Sequence, residues 1–460
     1  MAPAAPRRDD RRVPAIVFGA VMQPLHAFFQ MEAASGIVLL ACAIAALAWV
    51  NLGGAASYQA ALDYPIALGL GEGSIRFTLH QAVNDGLMTV FFFVVGMEIK
   101  RELVLGELRT PAQAALPAIA ALGGMAAPAG LYLAFNAGGP GQSGWGIPMA
   151  TDIAFCIGVL TLLRTRVPRA LAVFVTALAI FDDIGGILVI AFFYGQGLAS
   201  GWLAGALAVT AALIAIGRAH VRSGLAYATG GALLWLALHH GGIHATIAGV
   251  VLGLVIPARP PRAASDAVGA LAAHAQALLR SRRDEALDGE ALGAIEERLA
   301  QLKAPLTRFV EALHPWVAFG VMPAFALANS GVDLRSLDAA QMVGPVAVGT
   351  AVALVAGKLV GISVFTWAAV KVGIAPMPGS VPLSKLLGVS AVAGIGFTVA
   401  LFIAGLAFPG HPELLDQAKV GILAGSLVAG CAGAIVLRLT RALSPAAPAR
   451  EGEPGGATAR

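Results

Sequence analysis

Apolar residues run in membrane-length blocks along most of this chain. A bilayer core asks for roughly 20 consecutive apolar residues in a helix. Such runs fall at 32–51, 77–97, 113–136, 145–163, 169–194, 201–217, 224–240, 242–257, 315–331, 343–370, 384–407 and 417–439. They predict an all-α membrane protein of twelve transmembrane helices, of which the seventh and eighth abut at "HHGGIHAT". Gly and Pro interrupt two of the runs: the fourth reads "GWGIPMATDIAF", with Pro148, Thr151 and Asp152, and the eleventh reads "AVAGIGFTVAL", with Gly394 and Gly396. Such residues either let helices pack closely or break them, and a helix broken at mid-membrane presents its positive N-terminal and negative C-terminal ends inside the bilayer. Asp152 would balance the first kind of end and Lys358 the second.

The polar stretches divide the rest. Residues 1–31 form an N-terminal segment, 32–258 carry the first eight helices, 259–314 form a long polar connection, 315–440 carry the last four helices, and 441–460 form a tail of disordered composition. Within the connection, Leu292, Ile295, Leu299 and Leu302 recur at helical spacing and predict an extra surface helix.

Charge orders these pieces. Of 30 Lys and Arg residues, 26 fall on alternate connections beginning with the N-terminal segment, and only Arg76, Arg335 and Lys419 fall on the others. The positive-inside rule therefore places both termini in the cytoplasm, and a wrong helix count would have scrambled the asymmetry. Composition agrees: 58% hydrophobic and 12% charged residues cannot cover a soluble globule of 460 residues. The stretch "MAPAAPRRDDRRVPAIVF" has no small-residue cleavage site before the first run and is expected to stay attached. Cys42, Cys156 and Cys431 lie in separate apolar runs, which argues against a disulfide framework or a Cys metal cluster. No nucleotide-binding motif occurs, so neither a nucleotide, a nucleic acid nor a cofactor is expected.

Five ionisable residues then stand out inside the runs: Asp85, Asp152, Asp182, Asp183 and Lys358. A charged Asp or Lys at a helix centre costs about 2.5–3.5 kcal/mol on insertion scales and marks ion or proton pathways. Asp182 lies 13 residues from Arg169, Lys358 lies 13 from Lys371 and Asp152 lies 12 from Arg164. At 1.5 Å per residue each is roughly 18–20 Å deep, near the midplane. Asp85 enters from the other side and is shallower, which suits an access funnel. Adjacent helical residues point about 100° apart, so Asp182 and Asp183 face different directions. One of them can pair with Lys358, either as a static salt bridge or as part of a working site, and the second is then left over. Carboxylates crowded in a poorly solvated site hold protons more readily than in water. Protons and a small hard cation such as Na+ then compete for the same oxygens, with the Thr151 hydroxyl and freed backbone carbonyls as further ligands. A site that holds one or the other, but not both, couples their movements.

At this level of detail the chain resembles the NhaA-type sodium/proton antiporters. The resemblance rests on "VNDGLM" (83–88), "GMEIKREL" (96–103), "PMATDIAF" (148–155), "IFDDIGGI" (180–187), "GIHATIAGV" (242–250), "HPWVAF" (314–319), "GKLVGI" (357–362) and "AGIGFTVALFIAGLAF" (393–408). It covers the chain from Glu32 to Thr440. It implies twelve helices with inverted repeats, the fourth and eleventh unwound, the eleventh at Gly394 and Gly396, and crossing at mid-membrane, an architecture general to this transporter class. It also implies a bacterial inner-membrane protein that exchanges cytoplasmic Na+ or Li+ for external protons, electrogenically and with activation at alkaline pH. By that resemblance Asp183 is the principal cation ligand, Asp182 a second Na+ and proton ligand partnered by Lys358, and Thr151 and Asp152 belong to the crossing. Glu98, Lys100, Arg101 and Glu102 map to the cytoplasmic mouth associated with pH sensing, for which a topology-setting charge cluster is the alternative reading. His244 matches a position linked to pH response, though a His near a helix end also serves as an interfacial residue. The resemblance further implies a homodimer formed through an extracytoplasmic β-hairpin, which "IALGLGEGSIRFTL" (66–79) supplies with its Gly-rich turn.

The connection between Pro257 and His314 is much longer than the family's compact one. We expect deletion of 262–300 to spare exchange; a folded deletion variant that is inactive would show that this segment matters to transport. Two other classes fit less well. An intramembrane aspartyl protease needs its two carboxylates on separate helices and a "GxGD" motif, whereas this pair is adjacent and followed by "IGG", so the protein is not read as an enzyme. A passive cation channel is opposed by Lys358 at the depth of the aspartates.

Overall fold

A computed structural model of the chain describes residues 34–68, 75–195, 197–219, 221, 223–258, 304–378 and 381–440. The N-terminal segment, the Leu292 to Leu302 helical face and the C-terminal tail lie outside the described residues. Among those described, the protein is a helical bundle whose one sheet is a two-stranded hairpin. The helices are α1 (Ala34–Leu62), α2 (Leu79–Val104), α3 (Pro111–Asn136), α4 (Gln142–Leu162) and α5 (Arg169–Phe193). They continue with α6 (Ser200–Arg218), α7 (Gly224–Gly241), α8 (Ile247–Val255), α9 (Pro305–Asn329), α10 (Ala339–Lys371), α11 (Leu383–Val392 and Phe397–Ala407) and α12 (Pro412–Leu439). Nine of the described helices are long and apolar enough to cross a membrane, and the bent pair of α11 makes ten. The remaining two are α7, diluted by glycines and two histidines, and α8, whose 9 residues span only about 13 Å.

Between α1 and α2, β1 (Pro65–Leu68) and β2 (Ile75–Thr78) pair antiparallel with Pro65 opposite Thr78. Thr78 then caps α2 in a capping box with Gln81, so hairpin and helix are joined without slack. α9 starts at Pro305, ten residues before the expected 315. Its first turns bury Leu306 and Val310 while Arg308 and Glu311 face outward. An amphipathic stretch of that kind averages out in a hydropathy window and reads as a loop.

The helices α3 and α10 cross at close range. A Cβ on Gly357 would stand 2.7 Å from the Cα of Pro128, and one on Gly361 would stand 2.8 Å from the Cβ of Ala127. These contacts bring the two backbones together and seat Lys358, which lies between the two glycines, at the centre of the bundle. Two π-helical stretches adjoin charged residues: Ala82–Leu87 contains Asp85, and Ala353–Gly357 ends beside Lys358. Such local widenings of the helix recur at functional sites.

Candidate functional site

Two helices break, and the breaks meet. In α4 a 3₁₀ stretch (Gln142–Met149) gives way at Ala150 to extended backbone, and an α-helix restarts at Ile153. Pro148 lacks the N–H a continuous helix requires. α11 stops at Val392 and restarts at Phe397, bent by 50°. Freed backbone groups in an apolar interior cost about 1–3 kcal/mol each if left unpaired, and the two breaks pair them with one another. The Asp152 amide donates to Ile395 O at 2.6 Å, the Thr151 hydroxyl lies 3.0 Å from Ala393 O, and the Cys156 thiol donates to Val392 O at 3.1 Å. A Cβ on Gly396 would stand 3.1 Å from Ala150 O, and one on Gly394 would run into Leu354 O. Gly394→Val is therefore expected to push the two segments apart and to cost about 1–3 kcal/mol, as overpacking does; a thermal melt of the purified protein unchanged from wild type would contradict this.

Charged side chains sit on the exposed helix ends. Asp152 Oδ1 accepts from the Phe155 amide (3.2 Å), and its Oδ2 accepts from the Thr398 amide (3.1 Å) and the Thr398 hydroxyl (2.5 Å). One carboxylate thus serves the positive N-terminal ends of both restarted helices. Lys358 Nζ donates to Met149 O at 2.5 Å, the negative end of the 3₁₀ stretch, and to Asp182 Oδ2 at 2.7 Å. Thr151 Oγ1 lies 2.7 Å from the same Asp182 oxygen. The ion pair is wholly enclosed, both side chains being 0% exposed.

The two adjacent aspartates diverge as their helical spacing requires. Asp182 is turned to Lys358 and Thr151. Asp183 instead lines a cavity of about 70 Å³ together with Asp152, Thr398, Glu98 and His314. Glu98 and His314 stand 3.8 Å apart.

The charged run 98–102 does not act as one cluster. Glu98 faces the cavity that Asp183 lines. Lys100 Nζ donates to Leu254 O (2.7 Å) and Ile256 O (2.5 Å), closing the carbonyl end of the short α8. Arg101 and Glu102 pair with each other at 3.7 Å, and Glu102 accepts from the Glu107 amide (3.2 Å). At the hairpin end of the bundle, Asp85 lines a separate cavity of about 960 Å³, and His244 on the same cavity stands 3.7 Å from it.

Thr398 and His314 were not among the sequence-derived site residues. Thr398 is the first polar residue after Gly396 in an apolar run, a signal equivalent to that of Thr151. His314 opens a motif that reads as the start of a helix, and only the early start of α9 turns it towards the bundle.

The family profile described as Na+/H+ antiporter 1 matches residues 26–437. The Na+/H+ antiporter NhaA of Anaeromyxobacter sp. (strain Fw109-5) is 63% identical over 96% of this chain and 96% of its own. The Na+/H+ antiporter NhaA 1 of Myxococcus xanthus (strain DK1622) is 53% identical over 98% and 100%. That of Oleidesulfovibrio alaskensis is 44% identical over 91% and 94%. With its breaks paired, its buried carboxylates divided between a lysine and a cavity, and relatives matched over nearly their full length, this chain belongs to the NhaA family of Na+/H+ antiporters.

Proposed function

We propose that the protein exchanges cytoplasmic Na+ or Li+ for external protons across a bacterial inner membrane, electrogenically and with higher activity at alkaline pH. The observation that carries the reading is the division of labour between neighbouring aspartates: Asp182 is tied to Lys358, and Asp183 opens on a small cavity. A cation entering past Glu98 meets Asp183 first. Among the described residues no three His, Cys, Asp or Glu side chains converge as a fixed metal cage, so the transported cation would lean on Asp183 with hydroxyl, carbonyl and water oxygens. Protons compete for the same carboxylates, and as pH rises the cation gains the site. Lys358 holds Asp182 in place and neutralises it while Asp183 is loaded.

In this reading all twelve helices traverse the membrane in two inverted repeats, α4 and α11 cross at its midplane, and both termini are cytoplasmic. The hairpin end is then extracytoplasmic, Asp85 sits in an outer funnel, and β1 and β2 join two copies into a dimer. Glu98, aided by His314, is the member of the charged mouth best placed to pass pH to the site, because its neighbours Lys100, Arg101 and Glu102 are occupied locally. The test is dequenching of a pH-sensitive dye in everted vesicles on adding NaCl, LiCl or KCl between pH 6.5 and 8.5. Dequenching by Na+ and Li+ that grows with pH is expected; a folded, inserted protein that answers to no cation would refute the proposal.

A further inference from the structure

The outer cavity holds a second polar cluster that touches none of the residues at the α4–α11 crossing. His80 stands in the first turn of α2, where the Thr78–Gln81 capping box holds the backbone. Asn84 follows one turn later, within the π-helical stretch and beside Asp85. Asn329, largely buried, is the last residue of α9. The three side chains close a triangle between the two helices.

Proton counting decides what the triangle tolerates. The Asn329 amide donates to Asn84 Oδ1 (2.8 Å) and to Phe325 O (3.0 Å), which uses both of its protons. The Asn84 amide donates to Asn329 Oδ1 (3.3 Å) and faces His80 Nε2 at 3.1 Å. A neutral His80 has two settings: Nε2 accepts from Asn84 with the ring proton on Nδ1, or Nε2 carries the proton and donates to Asn329 Oδ1. Nε2 also lies 3.2 Å from Asn329 Oδ1. A proton arriving at Nε2 turns the contact with Asn84 from a hydrogen bond into two facing donors and makes a new bond to Asn329. Asn84 must then turn away, next to Asp85.

We propose that neutral His80 takes the first setting, so that His80, Asn84 and Asn329 form a proton-sensitive latch between α2 and α9, shut while His80 is neutral and released when external acid protonates Nε2. The charged groups around it do not do this work. Asp63 follows α1 and is opposite in charge to Lys419 on α12, which itself pairs with Asp416 at 3.6 Å. Asp85 lies further along α2 and pairs with His244, and α9 contributes the uncharged Asn329. The word "external" rests on the orientation proposed above, whereas the latch itself does not.

Hydrogen–deuterium exchange of the 79–88 amides in full-length protein in nanodiscs, at pH 8.0 and 5.5 and corrected for intrinsic rates, tests the latch without measuring transport. Wild type is expected to lose protection about tenfold at the lower pH, the equivalent of one hydrogen bond. His80→Gln keeps an acceptor oxygen for Asn84 but takes no proton, and should stay protected at both. Asn84→Ala serves as a second variant and should be poorly protected at both. Equal protection of wild type at the two pH values, or the same acid-induced loss in His80→Gln, would overturn the latch. Failure of dye dequenching in vesicles would instead count against the exchange reading alone.

Discussion

Asp183→Asn is expected to yield a folded, membrane-inserted protein that no longer exchanges Na+ or Li+ for protons. The substitution keeps the side chain's volume and leaves the 70 Å³ cavity its shape, but removes the charge that a dehydrated cation needs. Taking away one member of a buried charge pair costs about 3–5 kcal/mol, so cation affinity should fall at least a hundredfold. Stability should not fall with it. Asp183 is 91% shielded from solvent and adjacent to a second carboxylate, and an amide there is easier to bury than an ion. The paired outcome is thus an abolished dye response in everted vesicles with a thermal midpoint at or above that of wild type. Full exchange by the variant would remove Asp183 from the site. Loss of both exchange and stability would point to a scaffolding role.

Lys358→Ala acts the other way round, on the fold first. In wild type the ammonium lies between Asp182 Oδ2 and Met149 O. Removing it leaves Asp182 with only Thr151 beside it, in a spot water does not reach, and an uncompensated buried charge costs roughly 3–5 kcal/mol. The variant should melt well below wild type and exchange weakly, with a displaced pH profile. The discriminating step is to add Asp182→Asn. If the loss arises from the orphaned carboxylate, the double variant regains most of the stability, and the two effects are strongly non-additive. If Lys358 matters chiefly for holding Met149 O and the end of the 3₁₀ stretch, the double variant remains as unstable as Lys358→Ala. Thermal unfolding of the four proteins in detergent separates the two cases.

These expectations draw on two kinds of information. Hydropathy along the chain was enough to read an all-α membrane protein and to place its long helices, because in a bilayer each helix satisfies its own backbone and must be apolar over its own length. Hydropathy and charge together were enough also to single out Asp182, Asp183, Asp152 and Lys358, since a charge in such a run is costly wherever it points. The boundary of α9 escaped them because burial of Leu306 and Val310 depends on neighbours that a window average cannot see. The same holds for direction. Helical spacing dictated that Asp182 and Asp183 diverge, but which of them meets Lys358 depends on how α3 and α10 pack through Gly357 and Gly361. The charged run 98–102 makes the point most sharply: Glu98 and Lys100 are two positions apart in one motif, yet one faces the cavity that Asp183 lines and the other caps α8. Local sequence determined where the charges are and that each needs a partner, because the cost of an unpaired charge in hydrocarbon is a property of the residue and its depth. The tertiary structure decided the partners, because hydrogen bonds form only between atoms that the packing of distant segments brings within about 3 Å.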